Sequence, residues 1–432
     1  MGESDEVSIN RFDDSPDALR QAIDFCGGFD RLRKHFFVLI KPNVCVGRNR
    51  NIPPFGVVTT SRFIELLIQI LMEEGVRDIS IGEGSIVTAM SNTMTAFAYA
   101  GIDRLSKKYG VKLIDLNRGP FRKISIKGFD FELSDAVFDA DFVINVAVLK
   151  NHFQTKVSLC MKNLKGCLSK KSKRECHKRD LERSIALYNT VIPVDLNLID
   201  GIYALINGPW IDSGVPRRSD LIIASKDRLN CDIAGSLVLG VDPNDVAHMK
   251  EFSMLKSRSA PLCEVNIRGE KIEKIRVQDR YEQNDLFQEI FQRGGIKGIC
   301  FPDPGKSICS GCFGNIMVAL LIFCQDNQGI LLDDAEIIAG KERKVTGNRN
   351  VTLLYGDCAI ENNEDAQESK GIIKLGGCPP TFYRTYSTIL KTLLNEKEAD
   401  RQLFEMISLK TKEKEFSFFD HLEPPTFDIR HF

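Results

Sequence analysis

The alternation of short apolar runs with amphipathic segments constrains the fold of this chain more than any other feature. The run HFFVLIKPN predicts a buried strand that ends in a turn. Residues 62–74 place apolar side chains on one helical face, and Thr60 or Ser61 can cap that helix. A further strand is predicted over 78–82. Because strands separated by helices usually pair in parallel, we expect an α/β fold with mostly parallel sheets and helices on both faces.

The same alternation continues along the chain. Strands are predicted over 111–115, 142–148, 197–199 and 221–224. Residues 263–277 are predicted to form a β-hairpin that turns at a glycine.

The length and the change in composition predict more than one domain. A chain of 432 residues is long enough for two or three domains. The polar stretch 278–296 predicts a boundary, after which a second strand–helix pattern begins. We therefore expect an N-terminal extension (1–32), an α/β domain (33–278), a second α/β domain (296–394) and a charged C-terminal tail (395–432).

The charge of the chain is almost balanced. Lys and Arg number 58 and Asp and Glu 59, a formal net charge of −1, which predicts no general attraction to nucleic acid or to an anionic membrane. No apolar run approaches the ~20 residues that a membrane-spanning helix needs. The N-terminus is acidic and polar, unlike a signal peptide. We expect a soluble, cytoplasmic protein whose partners include neither membrane nor nucleic acid.

Thirteen cysteines are many for a reducing compartment, where disulfides rarely persist. Four of them, Cys309, Cys312, Cys358 and Cys378, lie in the motifs CSGC, GDCA and GGCPP. The two residues inside CSGC let both thiolates reach neighbouring irons of a cubane. The glycines before the later cysteines let the backbone approach the cluster sulfides. We expect one [4Fe–4S] cluster on these cysteines; a four-thiolate zinc site and unrelated core cysteines are the alternatives.

These motifs, with an apolar helix after CSGC, resemble the cluster-binding small subunits of nickel–iron hydrogenases and the equivalent subunit of respiratory complex I. The resemblance covers about residues 298–394, and GGCPP is its most specific element. It implies a flavodoxin-like domain that holds a [4Fe–4S] cluster and docks on a partner. The acidic stretch after Cys358 departs from the family pattern, so that loop is expected to differ.

Polar side chains follow several predicted strands of the first domain. Because the carboxyl ends of parallel strands meet at one edge, we expect a single pocket suited to proton transfer or anion binding. His152, with Lys150, is the candidate for acid–base catalysis, since the pKa of histidine lies near neutrality. A histidine hydrogen-bonded at the end of a strand is the alternative. The pocket set is Lys41, Asn43, Glu83, Ser85, Lys150, His152 and Asp200.

A basic segment follows the pocket residues. Lys162 and Lys165 are candidates to clamp a carboxylate or phosphate. The remainder is either a solvated loop or a lid whose arginines bind phosphate in bidentate fashion. No aromatic residue lies between Phe153 and Tyr188 to stack on bases, which argues against a nucleic-acid site. The nine basic residues are Lys162, Lys165, Lys170, Lys171, Lys173, Arg174, Lys178, Arg179 and Arg183.

The first domain resembles the DUF362 family, a group of prokaryotic proteins of unassigned function that are often joined to iron–sulfur domains. The matching stretches run from Val38 to about Asp242 and include DADFVINVAVLKNH, MKNLKGCLSKKSKRECH and DRLNCDIAGSLVLGVDP. The resemblance implies a fold and the place of a site, but no reaction. The family is also distantly similar to nickel-dependent lactate racemases, from which no catalytic residue is transferred.

Three classes of function fit these features. The favoured one is an iron–sulfur oxidoreductase that binds an anionic organic substrate or a nucleotide-like cofactor in the Lys/His pocket near a [4Fe–4S] cluster. The second is an electron-transfer or scaffold subunit whose cluster domain docks a redox partner protein. The third is a redox-neutral racemase- or isomerase-like enzyme with a structural cluster.

Overall fold

The computed structural model describes residues 6–45, 54–87, 92–209, 214–258, 261–277, 286–347, 349–366, 371–394 and 431. By its internal contacts the chain divides into two compact units, residues 1–282 with 424–432 and residues 283–423. Each unit has a main sheet of its own. None of the described helices combines the length and the apolar character needed to cross a bilayer.

The first unit alternates strands with helices. Its strands are β1 (Glu6–Arg11), β2 (Phe37–Pro42), β3 (Asp78–Glu83), β4 (Lys112–Asp115), β5 (Phe121–Ile126), β6 (Phe129–Ser134), β7 (Phe142–His152), β8 (Lys156–Val157), β9 (Leu196–Ile206), β10 (Val215–Ser225) and β11 (Asn266–Gly269). Its helices are α1 (Pro16–Phe25), α2 (Ser61–Glu73), α3 (Thr93–Tyr99), α4 (Ile102–Tyr109), α5 (Ala136–Asp139), α6 (Cys160–Asn163), α7 (Lys170–Lys178), α8 (Leu181–Asn189), α9 (Arg228–Val238), α10 (Ala247–Leu255) and α11 (Ile272–Ile275).

Nine described strands of this unit form one sheet in the order β11-β1-β10-β9-β7-β2-β3-β4, with β8 paired to β7. Strands β9, β7, β2, β3 and β4 are parallel to one another, whereas β10 is antiparallel to both of its neighbours. β5 and β6 form a separate hairpin. The predicted α/β class with mostly parallel sheets is confirmed, and the carboxyl ends of β2, β3 and β7 meet at one edge of the sheet.

Separate hydrophobic cores cover the two faces of this sheet. Val38 and Ile40 of β2 belong to one buried cluster and Leu39 to the other, because successive side chains of a strand point to opposite faces. The first cluster includes side chains of α1, α2, α3 and α4. The second includes side chains of α6, α8, α9 and α10. Helices therefore pack on both faces, as predicted.

Helix α2 follows the sequence pattern closely. It begins after Thr60, whose hydroxyl accepts a hydrogen bond from the Phe63 N–H. The apolar residues of its inner face are fully buried, among them Leu67 and Ile70. A side-chain cap and an apolar stripe at helical spacing therefore suffice to place this helix.

Residues 6–32, which the sequence pattern separates as an N-terminal extension, contribute β1 and α1 to the first unit. β1 lies inside the sheet, between β10 and β11. At the other end of the chain, the His431 carbonyl accepts a hydrogen bond from Ser61 Oγ (3.2 Å), and its Nδ1 lies 3.0 Å from the Tyr203 hydroxyl. Except for Leu394 and His431, the region beyond Leu393 lies outside the described residues.

The predicted β-hairpin over 263–277 is wrong. β11 pairs in parallel with β1, with Asn266 opposite Glu6, and the residues that follow form α11 instead of a returning strand. The pairing joins segments that are far apart in the sequence, so no local turn signal marks it.

Two strands extend beyond the predicted boundaries. β7 continues to His152 and β9 to Ile206, so Lys150, His152 and Asp200 lie within strands and not after them. The residues of both strands are buried despite their polar members. The predicted strands were too short because the apolar pattern stops before the hydrogen-bonded strand does.

The second unit has a parallel four-stranded sheet among its described residues. Its strands β12 (Lys297–Cys300), β13 (Leu331–Ala339), β14 (Val351–Tyr355) and β15 (Ile372–Leu375) are accompanied by helices α12 (Leu286–Gly294), α13 (Ser310–Asp326), α14 (Asp357–Asn362) and α15 (Phe382–Leu393). The strands lie side by side in chain order. A flavodoxin-like sheet has the order 2-1-3-4-5. The order of the described strands differs because β14, the third strand, pairs with β13 and not with β12.

Candidate functional site

A buried ion pair joins the ends of β2 and β3. Lys41 Nζ lies 2.8 Å from Glu83 Oε1, and each side chain is only 1% exposed. The same carboxylate accepts hydrogen bonds from the backbone N–H groups of Val44 and Gly84, both at 2.8 Å. All of these contacts are charge-assisted, so the pair holds the loops that follow both strands.

Two glycines allow separate loops to meet at this pair. A Cβ at Gly166 would lie 2.1 Å from Glu83 Oε1 and 2.7 Å from Lys41 Nζ. A Cβ at Gly84 would lie 2.3 Å from the Gly166 carbonyl oxygen. The GEGS and KNLKG motifs are therefore in direct backbone contact, which explains their small residues.

Lys150 lies beside the pair but has neutral hydrogen-bond partners. Its Nζ donates to Asn43 Oδ1 (2.7 Å) and to the Val57 carbonyl (2.6 Å). Burial lowers the pKa of Lys150, and the charge of Lys41 lowers it further, while Cys45 and Glu83 act in the opposite direction. The structure therefore brings together four of the predicted pocket residues: Lys41, Asn43, Glu83 and Lys150.

His152 is buried near the end of β7. Its Nδ1 accepts a hydrogen bond from the Gln154 N–H (3.0 Å), so the neutral ring carries its proton on Nε2. Burial and then the charges of Lys162, Lys150, His177 and Lys165 hold the pKa of His152 well below its usual range. His152 is thus a neutral imidazole surrounded by cations. The Nδ1 contact is the one that a histidine hydrogen-bonded within its own loop would make.

Lys162 and Lys165 lie in α6 and in the turn after it. Burial and then the charges of Lys165 and Lys150 lower the pKa of Lys162 well below its usual range. Lys165 Nζ contacts Nε2 of His177, which lies near the end of α7. Lys162 makes no ion pair with any described residue. Lys150, Lys162 and Lys165 therefore lie close enough to the neutral ring of His152 to act on it electrostatically.

The basic segment is helical and has two faces. Lys173 and Cys176 of α7 are buried, whereas Lys170, Lys171 and Arg174 are exposed. Arg179 and Arg183 contact the ring of Phe129 in the β5–β6 hairpin. The alternative of a solvated loop therefore does not describe residues 162–183. The inward members are Lys162, Lys165, Lys173 and His177.

Ser85 lies with a different set of partners. Its hydroxyl is 3.3 Å from Thr93 Oγ1 and accepts a hydrogen bond from Asn117 Nδ2 (3.1 Å). Lys173 Nζ donates to the Gly84 and Ser85 carbonyls and to Asn117 Oδ1. Burial lowers the pKa of Lys173 to about 7. Lys173 thus holds the loop after β3, in which Ser85 lies.

Asp200 is not part of the lysine cluster, which consists of Lys41, Lys150, Lys162 and Lys165. Its carboxylate accepts hydrogen bonds from the N–H and hydroxyl of Thr60, at 2.8 and 2.9 Å, and from the Ile202 N–H. Burial raises its pKa to about 6. Because β9 continues past this position, Asp200 stabilises the start of α2 and does not reach the edge where the lysines meet.

Three buried asparagines near the cluster were missed by the sequence analysis. Asn163 Oδ1 accepts hydrogen bonds from Lys41 Nζ and Asn43 Nδ2, both at 3.0 Å. Asn145 and Asn197 lie behind it in β7 and β9 and are completely buried. The sequence carries a sign of Asn145 and Asn197, because each places a single amide inside an apolar strand (FVINVAV and DLNLID).

The four cysteines of the second unit come from three segments. Cys309 and Cys312 lie at the start of α13, Cys358 in α14, and Cys378 after β15. The pKa of the Cys312 thiol is raised well above its usual range, by its hydrogen bond with Cys309, by burial, and by the electrostatic influence of Cys309, Cys378 and Cys358. None of the thirteen cysteines, all of which lie in the described residues, forms a disulfide. The four predicted ligands are therefore close enough to interact.

Glycines and side-chain contacts fit the three segments together. Gly356 has φ +86°, and a Cβ there would lie 3.3 Å from Cys312 Sγ. The Gly377 N–H donates to Asp357 Oδ1 (2.6 Å), which joins the segments of Cys358 and Cys378. Asn315 Nδ2 donates to the Pro380 carbonyl (2.7 Å), which joins α13 to the same region.

No group of three or more His, Cys, Asp and Glu side chains is arranged to hold a metal ion within the described ranges. A [4Fe–4S] cluster differs from a single ion, because each of its irons takes one thiolate and the four ligands surround a cubane. A zinc ion would instead need all four sulfurs about 2.3 Å from one point.

Known proteins give two matches to the first unit. Residues 38–236 match the family model described as "Domain of unknown function (DUF362)". Among individual proteins, the chain is similar to the thylakoid-associated protein sll1697 of Synechocystis sp., with 28% identity over 241 residues. That similarity covers 54% of this chain and 72% of the relative. The Lys41–Glu83 pair, Lys162 and Lys165 lie within the matched residues.

Proposed function

We propose that the protein is an iron–sulfur oxidoreductase whose first unit binds an anionic organic ligand and whose second unit holds one [4Fe–4S] cluster. The observation that carries this proposal is a group of buried lysines, of which Lys150 and Lys162 form no ion pair with a described carboxylate. Lys41 is paired with Glu83, whereas burial lowers the pKa of Lys150 and Lys162, and Glu83 and Glu182 act on them without forming an ion pair. Buried charge without a partner is costly, so the arrangement favours a ligand that supplies negative charge.

The ligand class follows from the groups that would contact it. Lysine ammonium groups and a neutral imidazole N–H are all donors, which suits the acceptor oxygens of a carboxylate or a phosphate. Lys162 and Lys165 both interact with His152, so an anion among them would raise the pKa of each. We therefore assign binding to Lys162 and Lys165, and proton transfer to Lys150 and His152 once the ligand's charge has restored their basicity.

The cysteine site supplies the redox part of the proposal. Cys309, Cys312, Cys358 and Cys378 would hold the cluster, and Gly356 leaves room beside Cys312 where a side chain would crowd its sulfur. The cluster would supply electrons one at a time to the bound ligand or to a redox partner protein. We infer a cytoplasmic location, because this number of cysteines without a disulfide suits a reducing compartment.

Binding of phosphate and pyrophosphate tests the anion site. Calorimetric titration should give an affinity for the wild type that falls at least about tenfold in Lys162→Met and Lys165→Met, since each removes one charged donor. Lys178→Met, which removes an exposed lysine of α7, is the matched control and should bind like the wild type. Equal affinities in all four proteins would refute the assignment of these lysines.

Iron and acid-labile sulfide in anaerobically purified protein test the cluster. We expect four irons per chain, and loss of the brown absorbance in Cys378→Ala. Cys324→Ala is the control, because Cys324 is buried in α13 outside the predicted set. Unchanged iron and sulfide in Cys378→Ala would refute the ligand assignment, and zinc in place of iron would favour the alternative site.

A further inference from the structure

A row of buried polar residues crosses the sheet below the lysine cluster. Lys41, Asn145 and Asn197 occupy matching positions on the parallel strands β2, β7 and β9. Both asparagines are completely buried, between apolar residues on either side along their strands. Asn43 and Asn163, at 8% and 5% exposure, complete the row at the edge of the sheet.

The side-chain amides form one continuous chain of hydrogen bonds. It starts at an ammonium group and ends at a backbone carbonyl. The links are Lys150 Nζ to Asn43 Oδ1 (2.7 Å), Asn43 Nδ2 to Asn163 Oδ1 (3.0 Å), Asn163 Nδ2 to Asn145 Oδ1 (2.8 Å), Asn145 Nδ2 to Asn197 Oδ1 (3.0 Å), and Asn197 Nδ2 to the Lys226 carbonyl (3.1 Å).

The direction of this chain is fixed at both ends. Lysine can only donate, so the oxygen of Asn43 must face Lys150 and the oxygen of Asn163 must face Lys41. A backbone carbonyl can only accept, so the NH₂ group of Asn197 must face Lys226. Reversing any one amide would bring two donors or two acceptors together. Each of the four amides consequently turns its oxygen towards the lysine end of the chain and its NH₂ group towards the Lys226 end.

We propose that Asn145 and Asn197 are positioning residues, which fix the orientation of the Asn43 and Asn163 amides and thereby hold Lys41 and Lys150 for the anion. This inference rests on the proposed anion site. Neither asparagine side chain is hydrogen-bonded to the ammonium group of Lys41 or Lys150 in the described residues, so the effect passes through hydrogen bonds that polarise one another in a low-dielectric interior. Backbone carbonyls also accept from two of these amides, since Asn163 Nδ2 lies 3.3 Å from the Lys41 carbonyl and Asn145 Nδ2 lies 3.0 Å from the Cys160 carbonyl. The chain adds the side-chain contacts that align the Asn43 and Asn163 oxygens with the two ammonium groups.

Several charged groups near Lys150 also change its pKa, and a measurement must separate their effects from that of the asparagine chain. Glu83 and the Cys45 thiol favour its ammonium form, and Lys41 opposes it. Lys162 and His152 also interact with it electrostatically. None of these groups belongs to the Asn145–Asn197 end of the chain, so a substitution at residue 197 leaves their charges in place.

Asn197→Leu tests the proposal, because leucine has a similar size and can neither accept nor donate. Asn230→Leu is the matched control: Asn230 is equally buried in α9, but it contacts Arg258 and lies outside the chain. Crystal structures of both variants should show the Asn163 or Asn43 amide displaced from its lysine in Asn197→Leu only. Phosphate binding measured against pH should weaken about tenfold in Asn197→Leu, with its alkaline limit at lower pH.

The outcomes separate this inference from the proposed function. Unchanged Lys41–Asn163 and Lys150–Asn43 contacts in Asn197→Leu, or equal displacement in both variants, would overturn the positioning role. A wild type that binds no phosphate would count against the anion site, while the crystal structures would still decide the role of the chain. If Asn197→Leu fails to fold, Asn197→Ser replaces it, because its hydroxyl is too short to reach both Asn145 and Lys226.

Discussion

Replacing Glu83 by glutamine should lower the free energy of unfolding of the first unit by about 3–5 kcal/mol, the usual cost of removing one member of a buried ion pair. The carboxylate contacts Lys41 Nζ and two backbone N–H groups and is only 1% exposed. Glutamine offers one oxygen in place of two. Its NH₂ group would meet either the ammonium of Lys41 or a backbone donor.

The size of the effect depends on the charge that remains. In Glu83→Gln the ammonium of Lys41 keeps only neutral partners, the Pro42 carbonyl and Asn163 Oδ1. The double variant Lys41→Met/Glu83→Leu removes both charges and should be more stable than the single variant, because an apolar pair avoids the uncompensated charge.

Calorimetry and urea unfolding of the full chain measure these differences. A loss of 3–5 kcal/mol in a unit of this size corresponds to a Tm about 10 °C lower. Glu73→Gln is the control, because Glu73 pairs with Arg20 at the surface and is 61% exposed; that loss should stay below about 1 kcal/mol. The reasoning fails if Glu83→Gln costs no more than Glu73→Gln, or if the double variant is the least stable protein.

Two further predictions concern Asp200 and Gly356. Burial raises the pKa of Asp200 from 3.8 to about 6, so its proton stabilises the fold below about pH 4, and up to about 3 kcal/mol of that stability is lost as the pH rises through 6. Asp200→Asn should therefore show a smaller decrease in the free energy of unfolding between pH 4 and 7 in urea titrations, and an identical decrease would contradict the assignment. Gly356→Ala should lower iron content, because its Cβ would lie 3.3 Å from Cys312 Sγ at φ +86°. Gly329→Ala has similar backbone strain at φ +75° with nothing within 4 Å, so equal iron loss in both variants would attribute the effect to strain alone.

The sequence predicted those parts of the fold that depend on local patterns. The α/β class, the helix capped by Thr60 and the strand 78–82 required only periodicity and a capping residue. The hairpin over 263–277 failed because β11 pairs with β1. A parallel pairing between distant segments has no turn residues to reveal it, and only the packed sheet decides which edge accepts the strand.

The candidate site shows the same division. Lys41, Asn43, Glu83 and Lys150 meet because strand ends converge, a rule that needs no knowledge of packing. Asp200 falls outside the cluster because β9 extends past it, and strand length depends on neighbours. Asn145 and Asn197 were overlooked because a single amide in an apolar run gives no sign of its role. The role becomes visible only when its hydrogen-bond partner on the neighbouring strand is known.

The position of β1 has a consequence for synthesis of the chain. β1 lies between β10 and β11, so residues 6–11 are synthesised before both of their neighbours and find them only when residues 221–224 and 266–269 have followed. Until then this strand has two unpaired edges, which makes it a target for chaperones and for wrong pairing. Deleting residues 6–11 would remove an interior strand and leave β10 and β11 without the strand that pairs with both.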